Sequence, residues 1–287
     1  KEMQDISCGI DPGSKKEGFT IKSEHHTYLN IQSDAVTWVK DAVECRRNTR
    51  RARRYRKTPY RKCRWNRKGG EIAPSTKARW GWKLRLCNWL GKMFPITHFI
   101  VEDIKAKTWK GSKKWNKSFS PLEVGKSWFY SELEKLGNLT LKFGWETKEL
   151  RDRLGLKKST QKVSNKFEAH CVDSWVLANF LVDGHDYPDN KEMLLITPLR
   201  FHRRQLHVFN FVKGGIRKLY GGTRSLGLKR GSLVKHIKHG ICFVGGTSKG
   251  LISLHDLGNK RICQNAAVKD IKFLTYSSWR WAHSSPA

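Results

Sequence analysis

Acidic residues are scarce in this chain of 287 residues, which has 25 Asp and Glu against 57 Lys and Arg and a net charge of +32. Acids are missing altogether from residues 45–68, which hold 13 Lys and Arg, and from residues 193–255, which hold 12. A globular protein this basic repels itself unless a polyanion neutralises it. The composition therefore favours a nucleic-acid partner, because dense phosphate charge and counterion release drive such binding.

Long apolar runs and paired cysteines are also lacking. No run approaches the 18 apolar residues of a membrane-spanning helix, and no signal peptide is recognisable, so a membrane surface is the weaker alternative for the basic charge. The seven cysteines are odd in number and none forms a Cys-x-x-Cys pair. This pattern disfavours a disulfide framework or a zinc site and predicts a reducing compartment.

The first half of the chain alternates strand and helix patterns. Residues 5–11, 17–22 and 27–32 are typical of a three-strand meander. Helices are predicted over 34–57, 147–154 and 165–182, and a further helix is predicted from a Ser75/Thr76 cap to Pro95. Two more strands are predicted over 98–104 and 139–145. Beyond Pro188, short strand patterns and Gly-Gly pairs predict a small β-rich domain.

Three carboxylates stand at unusual positions within these elements. Asp11 ends the first strand, Glu102 ends a short apolar strand, and Asp173 lies among apolar neighbours in the last long helix. Carboxylates at adjacent strand ends and on a covering helix can converge, and carboxylate oxygens suit Mg²⁺. A pair of such ions can drive phosphodiester cleavage. His170, three residues before Asp173, is predicted on the same helix face, where it could orient or deprotonate the attacking water.

Each of these residues also has an ordinary structural interpretation. Asp11-Pro12-Gly13 alone is usually a turn, and Glu102 alone is usually a solvated strand end. His170 alone is more often a helix histidine whose hydrogen bonds are satisfied. Asp173 is harder to dismiss, because a carboxylate on an apolar helix requires a partner. The order and spacing of all four residues favour the metal-site hypothesis over the separate explanations.

Two basic regions are candidates for nucleic-acid contact. Cations recur at helical spacing over residues 45–57, and the arginine fork suits phosphate. A second region over 202–232 alternates cations with Gly, Ser and Thr, which lets the backbone approach phosphates. A disordered or merely solvated surface remains the alternative for either region. The contact residues predicted are Arg46, Arg47, Arg50, Arg51, Arg53, Arg54, Arg56, Arg203, Arg204, Arg224, Lys229 and Arg230.

Several long motifs resemble one family. They are CGIDPGSKKEGFT (8–20), ECRRNTRRARRYRKTPYRK (44–62), FIVEDI (99–104), FEAHCVDSWVLANF (167–180), FHRRQLH (201–207) and YGGTRSLGLKRGSLVKH (220–236). Together they resemble the IscB/IsrB family, transposon-encoded relatives of the CRISPR type II effector nucleases. The tract RRARR at 50–54 matches the RRxRR motif of that family, which lies in its bridge helix. The resemblance extends over nearly the whole chain.

The resemblance implies an α/β fold, in which an RNase H-like (RuvC) mixed sheet flanked by helices is interrupted by an arginine-rich bridge helix and followed by a small β-rich domain. It implies metal ligands Asp11, Glu102 and Asp173, with His170 as a further catalytic residue, and Mg²⁺ as cofactor, two ions being expected and Mn²⁺ a substitute. The expected division is 1–40, 71–160 and 161–187 for three RuvC segments, 41–70 for the bridge helix and linker, and 188–287 for a domain that reads a target-adjacent motif.

The sequence departs from the IscB pattern in the segment between Glu102 and Asp173. Only about 70 residues separate them, without a Cys-x-x-Cys or a histidine before His170, so an HNH nuclease is not expected. This matches the HNH-less IsrB branch, although the family's small N-terminal domain, which precedes the first RuvC strand, is expected to be missing. The resemblance implies a monomeric protein in a ribonucleoprotein with a guide (omega) RNA, acting in the prokaryotic cytoplasm near the nucleoid. It would nick the displaced strand of double-stranded target DNA. A guide-independent RuvC-like resolvase and a non-catalytic RNA-binding protein are the alternatives.

Overall fold

The computed structural model describes residues 4–54, 72–105, 122–161, 164–199, 224–256, 258, 260–276 and 279–284. The chain forms two compact units. The first comprises Lys1–Leu195 with His283–Ala287, and the second comprises Ile196–Ala282. The first unit holds most of the mixed sheet and all six α-helices of the described residues.

The mixed sheet is built around three strands that follow one another in sequence. β1 (Ser7–Asp11), β2 (Lys16–Lys22) and β3 (Thr27–Asp34) pair antiparallel, which confirms the predicted meander. β4 (His98–Asp103) and β5 (Asn138–Phe143) continue the sheet parallel to β1. Two further strands, β6 (Met193–Pro198) and β14 (Trp279–Ser284), complete the sheet, and each contains a boundary between the two units. The full strand order is β14-β6-β3-β2-β1-β4-β5.

The helices begin and end close to their predicted positions, with local differences. They are α1 (Trp38–Arg54), α2 (Pro74–Leu90), α3 (Lys126–Leu133), α4 (Gly144–Arg153), α5 (Phe167–His170) and α6 (Val172–Val182). α2 starts at Pro74, before the predicted Ser75/Thr76 cap, because proline lacks an N–H and its fixed φ suits the first helical turn. α3 was not predicted from the sequence.

The predicted helix over residues 165–182 is divided in the structure. α5 ends at His170 and α6 starts at Val172, with Cys171 between them at φ −105° and ψ −15°. The division falls where the backbone contacts β2, since a β-carbon at Gly18 would lie 2.0 Å from the His170 carbonyl oxygen. The prediction of one continuous helix was therefore wrong, and a tertiary contact explains the interruption.

Helices cover both faces of the meander. On one face α6 packs directly against the strands, where Ser7 Oγ donates to the Ala178 carbonyl at 2.8 Å and Thr20 Oγ1 lies 2.9 Å from Ser174 Oγ. On the other face Glu17 of β2 meets Lys83 of α2 at 2.6 Å, with both side chains fully buried. Adjacent residues of a strand point to opposite faces, which explains this division.

The second unit contains an antiparallel sheet. Its strands are β9 (Ser232–His236), β10 (Gly240–Ser248), β11 (Leu251–His255), β12 (Arg261–Ala266) and β13 (Ile271–Tyr276), in the order β12-β11-β10-β9-β13. A two-stranded pair, β7 (Arg224–Ser225) and β8 (Leu228–Lys229), precedes it, and a 3-10 helix spans Val268–Asp270. Its core includes Val234, Cys242, Val244, Ile252 and Leu254. In the part of the chain that the structure describes, no helix is long and apolar enough to cross a membrane.

Candidate acidic active site

Parallel pairing of β1 with β4 places two carboxylates side by side. The register joins Ser7 to His98 and continues to Ile10 and Val101, so Asp11 and Glu102 are the next residues along the two strands. Both therefore lie at the same edge of the sheet. The first residue of α4 adjoins this edge, because a β-carbon at Gly144 would lie 3.2 Å from Glu102 Oε1.

Two strand glycines let α6 bring Asp173 to the same edge. A β-carbon at Gly9 would lie 1.9 Å from the Ser174 carbonyl oxygen, and the equivalent atom at Gly18 would lie 2.0 Å from that of His170. Only a residue without a side chain permits this approach. Asp173 stands in the first turn of α6 and is buried. These glycines were not among the residues predicted from the sequence, although a glycine inside an apolar strand is the signal that marks such a contact.

Two basic side chains bind the carboxylates directly. Arg151 Nη1 lies 2.6 Å from Asp173 Oδ1. The Lys158 ammonium pairs with Asp173 Oδ2 and lies 3.6 Å from Asp11 Oδ2. A partner for Asp173 was expected from the sequence, but its identity was not predicted: Arg151 and Lys158 precede it by 22 and 15 residues. The site is therefore a cluster of three acids neutralised in part by two cations.

The pKa values of the carboxylates are shifted by burial and by the charges around them. Burial raises the pKa of Asp11 above its ordinary value, Lys158 opposes this, and the negative charge of Asp173 adds to it. Burial also raises the pKa of Glu102 to about 7, together with the charges of Asp11 and Asp173, while Lys158 and the Thr147 hydroxyl act to lower it. Although burial acts to lower the pKa of Lys158, Asp11 and Asp173 raise it.

The three carboxylates are suitable ligands for a hard divalent cation, but their side chains are not arranged around a common position for one. Within the described residues, no group of three or more His, Cys, Asp and Glu side chains forms an arrangement that could hold a metal ion. Carboxylate oxygens are nevertheless the ligands that Mg²⁺ prefers. The negative charge that raises the pKa of Asp11 and Glu102 is the charge that a cation would neutralise. The chemistry of these donors therefore suits such an ion, while the Lys158 ammonium lies between Asp11 and Asp173.

His170 lies at the end of α5 and is half-buried. Cys171 separates His170 from α6, which carries Asp173, and the shared helix face predicted for the two residues stays a prediction. Its carbonyl contacts β2 at Gly18. A catalytic role for the imidazole stays a prediction.

The predicted nucleic-acid contacts fall into three groups. In α1, Arg46, Arg47 and Arg51 are exposed, and Arg50, Arg53 and Arg54 belong to the same helix. In the second unit Arg224 and Lys229 are exposed, Lys229 Nζ lies 4.5 Å from the centre of the Tyr276 ring, and the half-buried Arg230 donates to the Gly245 carbonyl at 3.3 Å. Arg56, Arg203 and Arg204 lie outside the described residues.

The raised pKa of Glu102 predicts a stability that depends on pH. The folded protein binds a proton at Glu102 more tightly than the unfolded chain, so stability is full below the ordinary pKa of 4.5 and falls as pH rises towards 7. The variant Glu102→Gln cannot acquire the charge. We expect it to be more stable than wild type at pH 8, by on the order of 1–3 kcal/mol, and no more stable at pH 4.5.

Urea unfolding with a chelator at the two pH values measures this effect. Glu149→Gln, an exposed acid of α4, is the matched control and should show no such difference. An equal stability change for Glu102→Gln at both pH values would contradict the assignment of Glu102 as a destabilised carboxylate.

A protein-family model and a solved structure each match part of this chain. Residues 1–115 match a family model described as RRXRR protein, and the matched region contains Asp11, the RRARR tract and Glu102. No curated protein matches the chain. Among solved structures, T. thermophilus RuvC in complex with Holliday junction substrate aligns with a TM-score of 0.32 and 12% identity, covering 61% of this chain and 90% of that chain.

Proposed function

We propose that this protein is an RNA-guided, metal-dependent DNA endonuclease that nicks one strand, as the resemblance to the HNH-less IsrB branch implies. The observation that carries the proposal is the meeting of Asp11, Glu102 and Asp173 at one edge of a mixed sheet, where each of the other two carboxylates acts on the pKa of Glu102. The RRXRR match over residues 1–115 and the mixed sheet covered by helices support an RNase H-like, RuvC-type assignment.

The chemistry divides between the metal and the side chains. Bound divalent metal, two Mg²⁺ ions in this proposal, supplies an activated water and stabilises the leaving oxygen of the phosphodiester. Asp11, Glu102 and Asp173 would hold the metal. Arg151 fixes the orientation of Asp173 through its 2.6 Å contact. His170 orients the attacking water or accepts its proton.

The guide RNA is proposed from charge as well as from the family resemblance. The net charge of +32 requires a polyanionic partner, and α1 presents Arg46, Arg47 and Arg51 to solvent. Base pairing between guide and target would then supply sequence specificity. The described residues hold one such acid cluster, so the product proposed is a nick in the displaced strand of the target DNA.

Removing arginines from α1 should change the salt dependence of RNA binding. Arg47 and Arg51 are exposed and one helical turn apart, so both side chains lie on one face. The double variant Arg47→Ala/Arg51→Ala should weaken RNA binding. It should also reduce the slope of log K against log salt by about 1–2, because fewer counterions are released from the RNA when phosphate contacts are lost. Filter binding over a salt series measures the slope.

The matched control for this variant is Lys40→Ala/Lys92→Ala, which removes two exposed cations outside the arginine tract. It should leave the slope within experimental error of wild type. Equal slopes for all three proteins would contradict a phosphate-binding role for α1.

The test of the proposed function is the RNA that the protein carries. The chain is expressed with its neighbouring genomic DNA, purified, and any bound RNA is sequenced. We expect a discrete RNA with one variable end, which then supplies the matching DNA for a nicking assay. Random cellular RNA, or no RNA, would contradict the guided mechanism and leave the acid site as that of a guide-independent nuclease.

A further inference from the structure

Lys158 occupies the space between two of the three carboxylates. Its ammonium pairs with Asp173 Oδ2 and lies 3.6 Å from Asp11 Oδ2, so one nitrogen faces one oxygen from each acid. A Mg²⁺ ion bound by both Asp11 and Asp173 would need their oxygens at about 2.0–2.1 Å and would take up the same space. The ammonium and such an ion therefore exclude each other by contact and by charge.

Arg151 and Lys158 are held differently. The Arg151 side chain is 14% exposed and contacts the other oxygen of Asp173, Oδ1, at 2.6 Å. The Lys158 side chain is 38% exposed, so its ammonium has a route to solvent. Lysine also carries its charge on a flexible four-carbon stem, whereas the arginine fork is planar and rigid. Arg151 can stay in place while Lys158 leaves.

The backbone beside Lys158 is fixed to the same unit. Lys158 lies on the segment between α4 and α5, and the next residue, Ser159, donates its N–H to the Glu168 carbonyl at 2.8 Å. Release of the ammonium therefore requires rotation about side-chain bonds and no movement of a helix. Exchange between ammonium and metal is a local event.

We propose that Lys158 is an internal cation that holds the acidic site closed when metal is absent and competes with divalent metal for Asp11 and Asp173. This inference rests on the proposed function, because it assumes that the carboxylates bind metal. It adds that Lys158 regulates the binding of metal at that site. The metal-free protein keeps its acids neutralised, and metal occupies the site only at concentrations that displace the ammonium.

Metal binding to the RNA-free protein tests the competition without any measurement of nicking. Mn²⁺ is titrated by calorimetry into wild type, Lys158→Ala and Lys158→Met, and the melting temperature of each is measured with chelator and with Mn²⁺. We expect both variants to bind Mn²⁺ on the order of tenfold more tightly than wild type, since a competing charge has gone. We also expect a lower melting temperature in chelator and a larger gain with Mn²⁺.

Lys157→Ala is the matched control, because it removes an exposed cation from the adjacent residue. It should bind Mn²⁺ as wild type does. Equal or weaker Mn²⁺ binding by both Lys158 variants, with wild type binding measurably, would overturn the competition and leave the proposed nuclease intact. No Mn²⁺ binding by any variant, including the Lys158 variants, would overturn both the competition and the metal site.

Discussion

Replacing Asp11 by Asn should lower the nicking rate by on the order of 10³-fold or more while leaving the folded protein at least as stable. The carboxylate charge at this position is needed to hold a divalent cation, and the amide cannot replace it. In the metal-free protein, however, burial and Asp173 raise the pKa of Asp11, so its ionised form is disfavoured by the fold. A loss of activity without a loss of stability is characteristic of a residue kept for function.

The rate is measured on a guide-matched plasmid, and the melting temperature is measured with chelator. Asp152→Asn, which changes an exposed acid of nearby α4, is the control and should nick at the wild-type rate. An Asp11→Asn protein that nicks normally would show that the acid cluster is not the active site. A variant that loses activity only because it unfolds would remove the argument for a functional charge.

Replacing Gly9 by Ala should destabilise the protein by about 3 kcal/mol or more. The added β-carbon would lie 1.9 Å from the Ser174 carbonyl oxygen and 2.7 Å from the Ala178 nitrogen, both backbone atoms of α6. The helix must therefore move away from β1, and Asp173 must move with it. Nicking should fall together with stability, because the carboxylates no longer converge.

Gly81→Ala is the matched control for Gly9→Ala. Gly81 lies inside α2, and a β-carbon there would have no atom within 4 Å. This change should stabilise the protein by about 0.5–1 kcal/mol, because alanine is the better helix former. Urea unfolding gives both values. A Gly9→Ala protein within 0.5 kcal/mol of wild type would contradict the close packing of α6 on the sheet.

Local patterns were sufficient to predict much of the first unit. The alternation over residues 17–22 and 27–32 predicted the meander, and the apolar strand before Glu102 predicted β4. The convergence of Asp11 and Glu102 could be expected because both end strands. The register between β1 and β4, which pairs Ile10 with Val101, could not be predicted from the sequence.

The remainder depends on contacts between distant residues. The interruption at Cys171 lies beside the contact between His170 and Gly18, which stands more than 150 residues earlier in the chain. The two cations on Asp173 come from a helix and a connecting segment that no periodicity links to it. α3 escaped prediction because it has eight residues, begins after Gly125 at φ 87° and lacks a side-chain cap.

The most direct test of the central claim is to map the strand cut by the protein reconstituted with its copurified RNA. The substrate is a supercoiled plasmid carrying the sequence that the variable end of the RNA matches, with Mg²⁺ present. The account predicts one nick in the strand that does not pair with the guide, absent with a mismatched guide, with chelator, and with Asp11→Asn. Cleavage that ignores the guide sequence, or a break in both strands, would contradict it.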